Sequence, residues 1–189
     1  MACDNFLIFG PYVQGGPMVP QVIAAAGGAS VSVIGETQDA DFKNALEIKE
    51  FSFGLENPTT IGSMSAGAGA GKAKFNEFNV KKAVDLASPQ LFIASGLGCH
   101  FSEVNLVIRK AGGVKVPYLI YKFVMVFVTK VEWSGGGGEE APDEDVTFVY
   151  GALSINYQQQ DAKGQPLGAT SECAWSQVTN QPTATVPGA

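Results

Sequence analysis

ALEIKEFSFG, residues Ala45 to Gly54, alternates apolar and polar side chains and then changes phase. Leu46 and Ile48 share one face of an extended strand. Phe51 and Phe53 face the same apolar surroundings only if the strand is interrupted near Glu50, which predicts a β-bulge there. Ser52 then points away from its two aromatic neighbours. On the N-terminal side, FLIF (Phe6 to Phe9) reads as a fully buried strand. Gly10 to Gly35 is rich in Gly, Pro and Ala, and VSVI (Val31 to Ile34) is its one strand-like piece.

On the C-terminal side, KFNEFNVK is a further strand. A short helix follows, with Ser88 placed to act as N-cap, Pro89 at the first helical position, and Gly96 or Gly98 to end it. SEVNLVIRK sets Val104, Leu106 and Ile108 against Glu103, Asn105 and Arg109. VPYLIYKFVMVFVTKVEW reads as one long bent strand or two, and Pro117 predicts that it starts at a sheet edge. EEAPDED sits on the glycine loop Gly135 to Asp145 and is expected to be solvated. VTFVYGALSINYQ is the last clear strand region, and SQVTNQPTATVPGA reads as a disordered tail. The expected fold is mainly β: a small barrel or sandwich of about seven or more strands. One short α-helix packs against it, and an extended glycine-rich loop projects from it.

The 189 residues suit one domain with a real core. With 46% hydrophobic and 16% charged residues the chain is not disordered as a whole. A net charge of −6, with no basic cluster beyond Lys81-Lys82 and Arg109-Lys110, argues against nucleic-acid partners. The cysteines, Cys3, Cys99 and Cys173, are too few and too scattered for a disulfide framework or a metal site. No signal peptide is expected, because Asp4 stands where a basic region would be. The longest apolar run, FVMVFV, is too short to span a bilayer, so no membrane insertion is expected.

Catalytic and cofactor patterns fail on spacing. SAGAGAGK (Ser65 to Lys72) looks like a phosphate cradle. A P-loop, however, would need glycine at Ala66 and a hydroxyl at Ala73, and a dinucleotide fingerprint would need glycine at Lys72. No nucleophile elbow occurs, and Cys99 and the single histidine, His100, are neighbours whose side chains point apart. No catalytic residue, cofactor or metal ligand is assigned, and the chain is not expected to be an enzyme. The glycine run reads instead as a flexible or assembly loop.

The segments, taken in order, resemble the tube protein of bacterial type VI secretion systems, the haemolysin-coregulated protein (Hcp) family. GETQDADFKNALEIKEFSFG matches the family's G-E-[ST]-x-D stretch and its S-[FW]-G. DLASPQLFIASGLGCH, LVIRKAGG, PYLIYKF and DVTFVYGALSINYQQQDAKG follow, and Trp175 stands where a late tryptophan is common. The motif residues are Phe51, Phe53, Gly54, Ser88, Pro89, Arg109, Lys110, Gly112 and Gly113. The resemblance implies hexameric rings stacked head to tail into a tube inside a contractile sheath and tipped by a spike protein. It also implies export without a signal peptide and small effector proteins carried in the lumen. The alternative is a monomeric β-barrel binding or adaptor module. On the tube reading, Asn57, Thr59, Thr60, Ile61, Gly62 and Ser63 form an assembly loop that touches a neighbouring subunit or ring. Met64, Gly67, Gly69, Gly71 and Lys72 continue that loop. Ser52 is the candidate for a lumen-facing position. Residues 1–175 form the single expected domain, with 11–34 inserted relative to the family and 176–189 a flexible tail.

Overall fold

The computed structural model describes residues 3–14, 16, 19–24, 30–58, 72–111, 114–137 and 141–189. Among them are β1 (Cys3–Phe9), β2 (Val22–Ala24), β3 (Ser30–Ser32), β4 (Leu46–Glu47), β5 (Glu50–Ser52), β6 (Leu55–Glu56) and β7 (Lys74–Phe75). They are followed by β8 (Phe78–Ala83), α1 (Ser88–Leu97), β9 (His100–Lys110), β10 (Pro117–Ser134), β11 (Asp143–Gln160) and β12 (Pro166–Ser176). The main sheet runs β4-β1-β9-β10-β11-β8-β5, with β12 also paired to β11. β2 with β3 and β6 with β7 form separate two-stranded ladders.

The two ends of that order are one short stretch of chain. β4 pairs with β1, and β5 pairs with β8. Between them, the Ile48 N–H donates to the Asn5 carbonyl at 3.0 Å and the Lys49 N–H to the Lys81 carbonyl at 2.8 Å. The phase change in ALEIKEFSFG is therefore not a bulge within one ladder. The strand leaves one partner for another, and the sheet rolls up until its edges meet there. Gly35 stands beside this junction. A Cβ on Gly35 would collide with the Ala45 carbonyl group, so no larger residue fits without moving backbone.

VPYLIYKFVMVFVTKVEW is one strand, β10, and it is central rather than at an edge. Its first residue is Pro117, so the missing N–H falls where the ladder begins. The bend is at Met125, which has φ of 57° and stands across from Gly151, between the pairs Val124–Ala152 and Val126–Tyr150. β11 forks: residues 143–148 pair with β8 and residues 152–160 with β12. β12 carries no clean apolar alternation and is exposed from Pro166 to Cys173, which is why its sequence does not read as a strand. The segment expected to be a tail folds back. The Gln177 side-chain amide donates to the Tyr150 carbonyl at 2.6 Å, and Val186 is buried. A methyl group at Gly151 would lie 3.2 Å from Val178 and 3.3 Å from Val186.

The core is aromatic. Phe78 and Phe123 stack with ring centroids 4.2 Å apart, and Phe123 meets Tyr150 edge-on at 4.9 Å. FLIF is buried on both faces, as its run of apolar residues requires. Leu7 and Phe9 enter the main core, whereas Phe6 and Ile8 enter a second cluster with Phe42, Ala45 and Val107 on the opposite face of β1.

Candidate functional site

Three groups of residues surround the positions that the sequence singles out. In the first, Ser88 does not cap α1. Ala87 is the N-cap, with no side-chain bond to the helix, and Ser88 is buried within the first turn. The Ser88 hydroxyl donates to Glu144 Oε2 at 2.8 Å and accepts from Lys82 Nζ at 3.2 Å. Lys82 and Glu144 are opposite each other on β8 and β11, 2.8 Å apart, with side chains 1% and 0% exposed. Lys82 also meets Asp85 at 2.6 Å, and Trp133 Nε1 donates to Glu144 Oε1 at 2.8 Å. EEAPDED reads as a solvated loop, yet its Glu144 lies at the bottom of this network. Strand alternation puts it inward, and a lysine there satisfies it. Gly98, at φ 63°, ends the helix.

The second group centres on Arg109, which is buried rather than part of a basic patch. Its guanidinium donates to Asp4 at 2.9 Å and Asp39 at 2.7 Å, and lies over the rings of Phe6 and Phe42. The Arg109 hydrogen bond, partly offset by burial, holds the Asp39 carboxyl down at about 2, against its ordinary 3.8. A depressed folded value means that this contact stabilises fully above 3.8 and is lost as pH falls toward about 2. Arg109→Met is therefore expected to flatten the acid limb of stability over that interval, read as the urea midpoint against pH. An unchanged slope would remove Asp39 as its cause. Lys110 sits over the Tyr118 ring, while Gly112 and Gly113 lie outside the described residues.

The third group surrounds Ser52, which is exposed while Phe51 and Phe53 pack inward against Tyr121, as alternation predicts. Register extends its face across four strands. Ser52, Asn79, Thr147 and Lys130 form one row, and Glu50, Lys81, Asp145 and Glu132 form the next. Thr147 Oγ1 donates to Asn79 Oδ1 at 2.8 Å. The wall is polar, mixed in charge, and free of large apolar side chains along both rows. Only Ser52 was visible in the sequence, because the other seven residues join it through long-range pairing. Beside it, an open concavity of about 670 Å³ is lined by Ser52, Phe53, Asn76 and Asn79 among others.

The glycine loop springs from the same place. β6 and β7 pair Leu55 with Phe75 and Glu56 with Lys74, and the Asn76 N–H donates to the Gly54 carbonyl at 2.9 Å. Of the expected assembly loop, Asn57 and Lys72 are described, and Lys72 is exposed. Thr59, Thr60, Ile61, Gly62, Ser63, Met64, Gly67, Gly69 and Gly71 lie outside the described residues. Cys99 donates its thiol to the Ala94 carbonyl at 3.8 Å, and His100 meets the Phe127 ring at a tilt with centroids 5.2 Å apart, so the two side chains have separate partners. Trp175 packs against the main core, opposite Leu153.

Residues 23–157 match the family described as type VI secretion system effector, Hcp. The chain belongs to the Hcp family. Hcp proteins are structural tube proteins of type VI secretion, not enzymes. The protein hcp1 of Pseudomonas aeruginosa strain PAO1 is 34% identical over 106 residues. That match spans 56% of this chain and 65% of the relative, just under two thirds of its length. A solved type six secretion system protein overlays with a TM-score of 0.79 at 29% identity, covering 96% of this chain and all of the other. Hcp1 from Salmonella typhimurium shares the fold, with a TM-score of 0.69 at 24% identity, over 97% of this chain and all of that one.

Proposed function

We propose that this Hcp chain forms the inner tube of a type VI apparatus as hexameric rings stacked head to tail within a contractile sheath. The match of residues 23–157 to the Hcp family carries this reading. On it, contraction exports the tube with a spike protein at its tip, and small effector proteins travel in the lumen. The wall around Ser52 and Lys81 is the face that suits a lumen. Its hydroxyl, amide and alternating charged groups hold water, so passing proteins do not stick to it. The loop rooted at Leu55–Glu56 and Lys74–Phe75 would reach a neighbouring copy from the rim of that wall. Export needs no membrane-spanning helix in the subunit, and no described helix is long and apolar enough to cross a membrane.

Light scattering followed by negative-stain electron microscopy tests the proposal. Particles near six times the 19.8 kDa chain mass, or stacked hollow tubes, are expected. A clean monomer at every concentration would overturn ring assembly and favour a monomeric adaptor.

A further inference from the structure

The edge of β11 that faces away from β10 changes partner at residues 149–151. β8 covers it up to Phe148 and β12 from Ala152 onward, so the two strands part there. The gap is opposite the kink at Met125, and the Tyr150 and Gly151 carbonyls lie in it. Gln177, the first residue after β12, fills it. Its main-chain N–H donates to the Gly151 carbonyl at 3.0 Å, and its side-chain amide donates to the Tyr150 carbonyl at 2.6 Å. The amide oxygen accepts from the Phe75 N–H of β7 at 3.4 Å. One carboxamide therefore ties the C-terminal segment, β11 and β7 together.

β7 needs that tie. β6 and β7 are the two ends of the glycine loop, and they form a ladder separate from the main sheet. They pair through two residues each, and so short a two-stranded ladder is not stable by itself. Leu55 on β6 is 54% exposed, so that strand gains little from burial. The Phe75 ring, stacked on Tyr150 at 4.9 Å, and the Gln177 bridge hold the ladder to β11. Gln177 is itself fixed. Ser176, which precedes it, is fully buried and exchanges main-chain hydrogen bonds with Gln181. The Ser176 hydroxyl accepts from the Thr179 N–H at 3.2 Å, and Val186 further along is buried. A side chain whose backbone is pinned in this way has little freedom left to lose.

We propose that Gln177 is the positioning residue of the glycine loop: its carboxamide sets where β7 lies against β11, and so fixes the direction in which the loop leaves the domain. The folded C-terminal segment then becomes a requirement for assembly, although it lies outside the loop and outside the family-matched residues 23–157. This role rests on the tube reading, in which the loop reaches a neighbouring copy.

Gln177→Met keeps the side-chain length and the main-chain hydrogen bond and removes both carboxamide bonds. Hydrogen exchange is compared with the wild type under conditions where light scattering gives the two proteins equal mass. The Phe75 amide is expected to exchange about tenfold faster, the effect of losing one hydrogen bond of ordinary strength. Amides of β11 from Ala152 to Gln158 are expected to keep their rates, and Tm to stay within about 5 °C. The concentration at which rings or tubes form is expected to rise about tenfold, because binding must then order the loop root at the same free-energy cost. Thr183→Ala removes a hydroxyl bonded to Thr185 within the same segment, and is expected to match the wild type in all three measurements. Unchanged exchange at Phe75 overturns the bridge. Faster exchange with wild-type assembly overturns the positioning role and leaves the tube reading standing, and so does an equal loss of assembly in Thr183→Ala. A wild type that stays monomeric at every concentration overturns the tube reading and the role in assembly with it, while the Phe75 rate still decides whether Gln177 holds β7.

Discussion

Lys82→Met is expected to destabilise the fold by about 3–5 kcal/mol, because it leaves Glu144 charged and buried without its cation. Methionine nearly matches the lysine stem in length, so little cavity opens and the loss reports the carboxylates left behind, the fully buried Glu144 first and the partly exposed Asp85 second. Glu144 is fully buried, and its remaining contacts, the Ser88 hydroxyl and the Trp133 indole N–H, are neutral donors. Adding Glu144→Gln removes the buried charge, so most of the stability is expected to return. Urea unfolding of the two variants makes the comparison. A loss below about 1 kcal/mol for Lys82→Met, the scale of a surface ion pair, would mean that water reaches Glu144.

Phe123→Ala is expected to cost about 3–5 kcal/mol, the usual range for deleting a buried aromatic ring. The ring is fully buried at the centre of the sheet, stacked on Phe78 and edge-on to Phe53 and Tyr150. All three neighbours would line the cavity, and they come from β8, β11 and the connection between β5 and β6, so the site cannot collapse by moving one element. For a domain of this size each kcal/mol lowers Tm by about 2–4 °C, which places the expected drop at roughly 6–20 °C in calorimetry. Phe92→Ala, on the exposed side of α1, serves as the control and is expected to change stability by less than about 0.5 kcal/mol. Equal losses at the two positions would remove the aromatic core as the principal source of stability.

The sequence read well wherever the signal was local. FLIF, the apolar face of SEVNLVIRK (Val104, Leu106 and Ile108) and the alternation around Ser52 are patterns of side chains on their own strand, and each lies in the structure as its pattern requires. Ser88 misled because a serine before proline has the local form of a cap, while its hydroxyl was committed to Glu144 on a distant strand. Arg109-Lys110 looked like an exposed basic pair for the same reason: Asp4 and Asp39, which bury the arginine, arrive from elsewhere in the chain.

From its sequence alone, this protein was readable as mainly β, acidic, without catalytic spacing, and similar to Hcp proteins along most of its length. These properties depend on residue types and on the two-residue period of an extended chain, which needs no partner to be expressed. Tertiary structure alone decided that residues 46–52 join the two edges of the sheet. It also decided that Glu144 lies beneath Trp133, and that Ser52 belongs to a two-row polar wall. Each of these depends on which strand lies beside which, and in what register. A one-residue slip in any pairing would turn the same side chains to the opposite face.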